Sequence, residues 1–135
     1  MKRLFLDTND VIDLLDNRKP FCKDAVTIFT MAYNKEVQLY VSPITYTTAA
    51  YLLRKHGAEG VRTLLANFRQ LSHIATTDER IVDDAIAAQF NDFEDAVQYY
   101  TALKAKADFI ITRNTKDFNV SKIPVMTPAE YLGTL

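Results

Sequence analysis

The chain is poor in the features that assign a protein to a class on their own. Its 135 residues include one cysteine, Cys22, three glycines, four prolines and no tryptophan. A lone cysteine excludes an internal disulfide framework and any zinc site built from thiolates, and it suits a reducing compartment. Scarce glycine and proline beside 48% hydrophobic residues exclude a disordered or low-complexity chain. Net charge is also nearly absent. Sixteen Lys and Arg against seventeen Asp and Glu leave -1, so no global positive field would hold a nucleic acid, and a polyanion would need a local basic rim. Long apolar runs are missing too. Lys2 and Arg3 precede Leu4-Phe5-Leu6, but Asp7 stops that run far short of a signal-peptide core, and no stretch reaches membrane-spanning length. The cytoplasm is the expected location, without a membrane partner.

What is present reads as an ordinary globular sequence. The length suits one domain over residues 1–135, with a core that needs no metal or disulfide to support it. Short apolar or alternating runs predict strands at residues 4–6, 38–42, 72–75, 109–112 and 123–126. Between them lie helical patterns. Asn9 is positioned to cap a short helix carrying Val11, Ile12, Leu14 and Leu15, and Pro20 starts a second with Ala25, Ile28, Phe29 and Ala32 on one face. A third runs from Pro43 to about Lys55 and ends at Gly57, and a fourth buries Val61, Leu64, Leu65 and Phe68. Thr77 opens a fifth, with Val82, Ala85 and Ile86 inward. Asp92 caps a sixth, with Ala96, Tyr99, Tyr100 and Leu103 inward, and Pro128 begins a terminal turn. Strands separated by helices predict an α/β fold, a three-layer α/β/α arrangement around a central, mainly parallel sheet with right-handed crossovers.

In such sheets ligands bind beyond the carboxyl ends of the strands, and there the sequence is acidic. The first strand ends in Asp7-Thr8-Asn9-Asp10, and the fourth runs into Arg113-Asn114-Thr115-Lys116-Asp117. A third group, Asp92-Phe93-Glu94-Asp95, opens the helix before that strand. Gathered carboxylates raise each other's pKa unless a cation lies between them. Oxygen-only clusters suit Mg²⁺ or Mn²⁺, which keep several waters, bind substrate phosphates and can activate water toward a phosphodiester.

Taken in order, Leu4-Phe5-Leu6-Asp7-Thr8-Asn9, then Asp92-Phe93-Glu94-Asp95-Ala96, then Ile111-Thr112-Arg113-Asn114 with Asp117-Phe118, resemble the PIN-domain family, which includes VapC-type toxins. The likeness covers almost the whole chain. It implies a small α/β nuclease that cuts single-stranded RNA with Mg²⁺ or Mn²⁺ held by about four acids, often as a homodimer and paired with an antitoxin protein. Carried over by match, Asp7, Asp95 and Asp117 are the metal-binding and catalytic acids, and Asn114 completes the catalytic set. Arg113 and Lys116, flanking that site, are the candidates for an RNA phosphate. One departure stands out. The family usually places a Glu in the helix after the second strand, where this chain has Thr48, and no acid occurs from Gln38 to Ala58. Glu94 or Asp92 is then the candidate replacement.

Each residue also has a plainer reading. Asp7 would serve as a helix cap, Glu94 and Asp95 as first-turn acids favoured by the helix dipole, and Asn114 and Asp117 as loop residues. Asp10 and Asp13 read as solvated helix charges. His56 and His73 have no partner for triad chemistry. Two other functions compete with the nuclease. One is a PIN-like module that has lost catalysis along with the Glu and binds RNA or a protein. The other takes Asp7-Thr8-Asn9-Asp10-Val11 as a degenerate haloacid-dehalogenase-like phosphatase motif with Asp7 as nucleophile.

Overall fold

Residues 1–118 and 120–135 are described by a computed structural model. The chain alternates as β1 (Lys2–Leu6), α1 (Thr8–Leu15), α2 (Cys22–Tyr33), β2 (Val37–Val41), α3 (Pro43–Leu52), α4 (Gly57–Arg69) and β3 (Ser72–Ile74). There follow α5 (Glu79–Ala87), α6 (Phe93–Lys104), β4 (Phe109–Ile111), β5 (Val125–Met126) and α7 (Pro128–Leu132). Short 3₁₀ turns occupy Arg54–His56 and Thr115–Phe118. The strands form one sheet in the order β3-β2-β1-β4-β5, and all four pairings are parallel. This is the three-layer α/β/α architecture expected from the sequence.

β1 lies in the middle of the sheet, which explains its unbroken apolar run: a central parallel strand is covered on both faces. Successive side chains point to opposite sides. Leu4 and Leu6 pack with Ala25, Ile28 and Phe29 of α2, Phe68 of α4 and Tyr131 of α7. Phe5 faces the other way, with Ile110 of β4 and with Tyr99 and Ala102 of α6. Leu4, Phe5 and Leu6 are each 1% exposed or less. A smaller cluster of Ile12, Ala49, Leu53 and Val61 ties α1, α3 and α4 together. Among the described residues no helix is long and apolar enough to cross a membrane.

Several local expectations shift. The cap of α1 is Asp7, not Asn9, because Asp7 already has extended backbone and Thr8 is helical. Pro20 lies in the turn before α2, which begins at Cys22, and Asp78 rather than Thr77 caps α5. In α5 the buried residues are Ile81 and Ala85, packed on Ala96 and Val97 of α6, while Val82 and Ile86 face outward. Both stripes have four-residue spacing. The smaller one turns inward because alanines at Ala85 and Ala96 let the two helices approach closely. In α6, Ala102 is buried and Leu103 is 37% exposed. The strand ladder also runs past its nominal ends: Ala75 N donates to Val41 O at 2.8 Å and Thr112 N to Met126 O at 3.0 Å.

The strand order positions the site. From β1 the chain builds outward through β2 and β3, then returns to place β4 on the other side of β1. The reversal lies between β1 and β4, whose carboxyl ends deliver Asp7 and Thr112 side by side. A crevice at such a switch point is where open α/β sheets bind ligands.

Candidate active site

Asp7 follows the last residue of β1, and its backbone N donates to Ile111 O at 3.0 Å, which sets it against the end of β4. The side chain is 5% exposed. Its Oδ1 accepts from Thr8 N at 2.8 Å and from Gln98 Nε2 at 3.3 Å, and its Oδ2 accepts from the Thr112 hydroxyl at 2.9 Å. Capping alone would aim the carboxylate at an N–H two or three residues on. Here it is drawn inward by side chains from β4 and α6. Burial raises the Asp7 pKa above its usual value, the Thr112 and Thr8 hydrogen bonds oppose that rise, and the charges of Glu94 and Asp117 add to it. The supporting hydroxyls are themselves tied: Thr8 Oγ1 lies 3.0 Å from Thr45 Oγ1, and Thr112 Oγ1 accepts from Asn114 N at 3.1 Å.

The remaining acids approach from two other elements. Asp92 caps α6 by accepting from Asp95 N at 3.1 Å, which leaves Glu94 and Asp95 in the first turn. Asp117 sits in the 3₁₀ turn after β4, with its backbone N on Asn114 O at 3.0 Å. Asp92, Asp95 and Asp117 line a cavity of about 200 Å³ together with Gln89, Asn91 and Lys116. Asp95 is half-buried, and its carboxyl is raised to about 7 by burial first and then by the charges of Asp7, Asp92, Asp117 and Glu94. The three sequence-matched acids therefore act on one another across one rim, and the exposed Asn114 lies in the turn between Thr112 and the exposed Asp117. A larger groove of about 450 Å³, beside Lys35, Gln38, Arg69 and His73, lies at the opposite ends of the strands, away from these acids.

Thr48, at the position aligned with the missing Glu, donates its hydroxyl to Glu94 Oε1 at 3.3 Å. The site of the absent acid is thus joined to one of the two proposed replacements. Asp10 and Asp13, read as solvated charges, are instead 3% and 1% exposed. Asp13 is buried because it pairs with Arg113, whose Nε lies 2.8 Å from Oδ2 and whose second nitrogen donates to Oδ1 at 3.2 Å. The guanidinium also lies 4.0 Å from the Phe21 ring centroid. Arg113 is therefore already engaged by α1 and the turn before α2, while Lys116 is exposed at the cavity. Among the described residues Asp10 has no hydrogen-bond partner for either oxygen, and burial, with Asp7 and Asp13 nearby, pushes its carboxyl well up.

Sequence reasoning did not single out Gln98 or Thr112, the two side chains that hold Asp7. Thr112 stood in the matched motif, but Gln98 reads as a polar residue in a helix, with nothing to mark its face.

Among the described residues no three His, Cys, Asp or Glu side chains converge tightly enough to enclose an ion unaided. The donors still suit a hard divalent cation. They are all oxygens, their charges add to the burial that brings Asp95 to about 7, and the cavity leaves room for waters. Mg²⁺ is commonly bound in that open way, by one or two carboxylates, several waters and substrate phosphates.

Comparison with known proteins bears on the family and the fold. The family model of the PIN domain matches residues 3–116. Ribonuclease VapC1 of Aquifex aeolicus (strain VF5) is 26% identical over 135 residues, covering 96% of this chain and 93% of that protein. A toxin-antitoxin complex from Klebsiella pneumoniae contains a chain 27% identical, with a TM-score of 0.66 and coverage of 93% and 97%. VapBC2 from Rickettsia felis, bound to a DNA fragment of its promoter, shares the fold with a TM-score of 0.65 at 15% identity, covering 92% and 96%. With Asp7 at the end of the central strand, the acids of α6 and the β4 turn gathered beside it, and a family match over most of its length, the chain belongs to the PIN-domain family.

Proposed function

We propose that this chain is a Mg²⁺- or Mn²⁺-dependent endoribonuclease acting on single-stranded RNA, and the VapC-like toxin of a toxin–antitoxin pair. The observation that carries the reading is the placing of Asp7, Asp95, Asp117 and Glu94 around the β1/β4 switch point, where burial first and then the neighbouring acids raise Asp95 to about 7. The names of the relatives support the toxin role, and their toxin-antitoxin complexes support an antitoxin protein as partner. A second copy of the chain is proposed on the family resemblance.

Asp7, Asp95 and Asp117 would hold the cation, which when bound activates water and offsets charge on the phosphate. The chain supplies the rest. Thr112 and Gln98 keep Asp7 from rotating. Asn114, anchored to Thr112 through its backbone, would orient a ligand or water. Lys116 is placed to meet a phosphate oxygen, and Arg113, locked by Asp13, stiffens the loop that carries both. Glu94 takes the place of the missing Glu, held there by Thr48. In the reaction a water oxygen forms the new bond to phosphorus, the bridging P–O bond breaks, and the leaving oxygen takes up a proton.

The test is cleavage of single-stranded RNA by purified protein. Cleavage should require Mg²⁺ or Mn²⁺, stop with EDTA, and fall by at least about 100-fold in Asp7→Asn. Activity that survives both treatments would sink the reading. The neutral Thr48 and the open donor set favour one second reading, a catalytically impaired RNA- or protein-binding module. It would bind RNA without metal uptake and cleave nothing.

A further inference from the structure

Gln98 lies in the middle of α6 and is 0% exposed, in a position that packing alone would fill with an apolar side chain. Its Nε2 donates to Asp7 Oδ1 at 3.3 Å and to Thr8 Oγ1 at 3.1 Å. Its Oε1 has no hydrogen-bond partner among the described residues. An acceptor left unpaired in the interior costs stability, and an apolar residue of the same size would avoid that cost. The side chain is therefore poorly chosen for the fold and well chosen for Asp7. It stands three residues after Asp95 in the same helix, so α6 carries one acid of the rim and also grips the acid of β1. Thr8, its second acceptor, is held in turn by Thr45 of α3 at 3.0 Å.

We propose that Gln98 is a positioning residue for the cation site, fixing the orientation of the Asp7 carboxylate through its amide donor. The inference rests on the metal-dependent reading of the site given above. Groups that hydrogen-bond a metal-binding carboxylate tune its affinity by about 10–100-fold. Methionine matches the length and volume of glutamine but has no N–H to donate.

The experiment is a calorimetric Mn²⁺ titration of the wild type and of Gln98→Met, with melting temperatures measured on the metal-free proteins. Gln98→Met should melt close to the wild type yet bind Mn²⁺ about tenfold or more weakly. Its RNA cleavage should fall at low Mn²⁺ and recover as Mn²⁺ is raised, a recovery that a packing role would not produce. Unchanged Mn²⁺ affinity in the folded variant overturns the proposal while leaving the nuclease reading intact. A wild type that takes up no Mn²⁺ overturns both. If Gln98→Met does not fold, the wild type decides by nuclear magnetic resonance. The Gln98 side-chain amide should shift during a Mg²⁺ titration with the midpoint of a calorimetric Mg²⁺ titration of the same protein, and an unmoved resonance overturns the proposal.

Discussion

Thr48 and Glu94 show how one substitution redistributes a site. A threonine cannot replace the charge of a glutamate, but its hydroxyl reaches Glu94 Oε1 at 3.3 Å, which puts an acid of α6 beside the position where α3 lacks one. If Glu94 has taken over, Glu94→Gln should lower Mn²⁺-dependent RNA cleavage by about tenfold or more, and adding Thr48→Glu to that variant should restore part of the loss. Cleavage unaffected by Glu94→Gln would show that three acids suffice. The gathered charge also predicts a pH dependence. Asp95 is raised to about 7, and Asp7, Asp10 and Asp13 shift in the same direction through burial. From the ordinary carboxylate range, about 4, up to about 7, the folded protein then binds more protons than the unfolded chain, so stability falls as pH rises through that window. Metal-free protein should melt higher at about pH 5 than at about pH 8, and Mg²⁺ should raise the melting temperature at the higher pH and much less at the lower. The partly exposed Asp16 and Asp78, lowered by their Lys partners, act in the opposite sense only at more acidic pH.

At the level of elements, the pairing of α5 with α6 was the hardest feature to foresee. Ile81-Val82 and Ala85-Ile86 offer two adjacent apolar stripes, and periodicity alone does not choose between them. The choice is made by the partner, since Ala96 and Val97 of α6 form a shallow surface that Ala85 can approach. Ile81→Ala should therefore cost about 2–4 kcal/mol in denaturant unfolding, and Ile86→Ala, 69% exposed, less than about 0.5 kcal/mol. Equal costs would mean the helix faces the other way. By contrast, β1 and β4 were legible because each carries a short unbroken apolar run that ends in a polar turn, and the parallel sheet followed from their alternation with helices. The positions of Asp7, Asp95, Asp117 and Asn114 in the fold were legible because they follow strands or open a helix. Gln98 and the burial of Asp13 were not, because each depends on a partner about a hundred residues distant, Asp7 and Arg113.

For the whole molecule, a net charge of -1 conceals a strong asymmetry. Asp7, Asp92, Glu94, Asp95 and Asp117 share the rim at the β1/β4 switch point, and Asp10 and Asp13 lie just behind it in α1. Arg113 neutralises Asp13 rather than the rim, and Lys116 is the cation that lines the cavity with the acids. RNA, a polyanion, would meet net repulsion there without an added cation. The fold thus gathers charge at one point, which would suit the proposed metal-bridged phosphodiester site and would hinder a protein that holds RNA by its own basic surface. The most direct test is anomalous diffraction from a crystal of this protein soaked in Mn²⁺. A peak at bonding distance, about 2 Å, from carboxylate oxygens of Asp7 and of Asp95 or Asp117 is the predicted result. A fully soaked crystal with no peak at that rim, or with Mn²⁺ bound only elsewhere, would contradict the account.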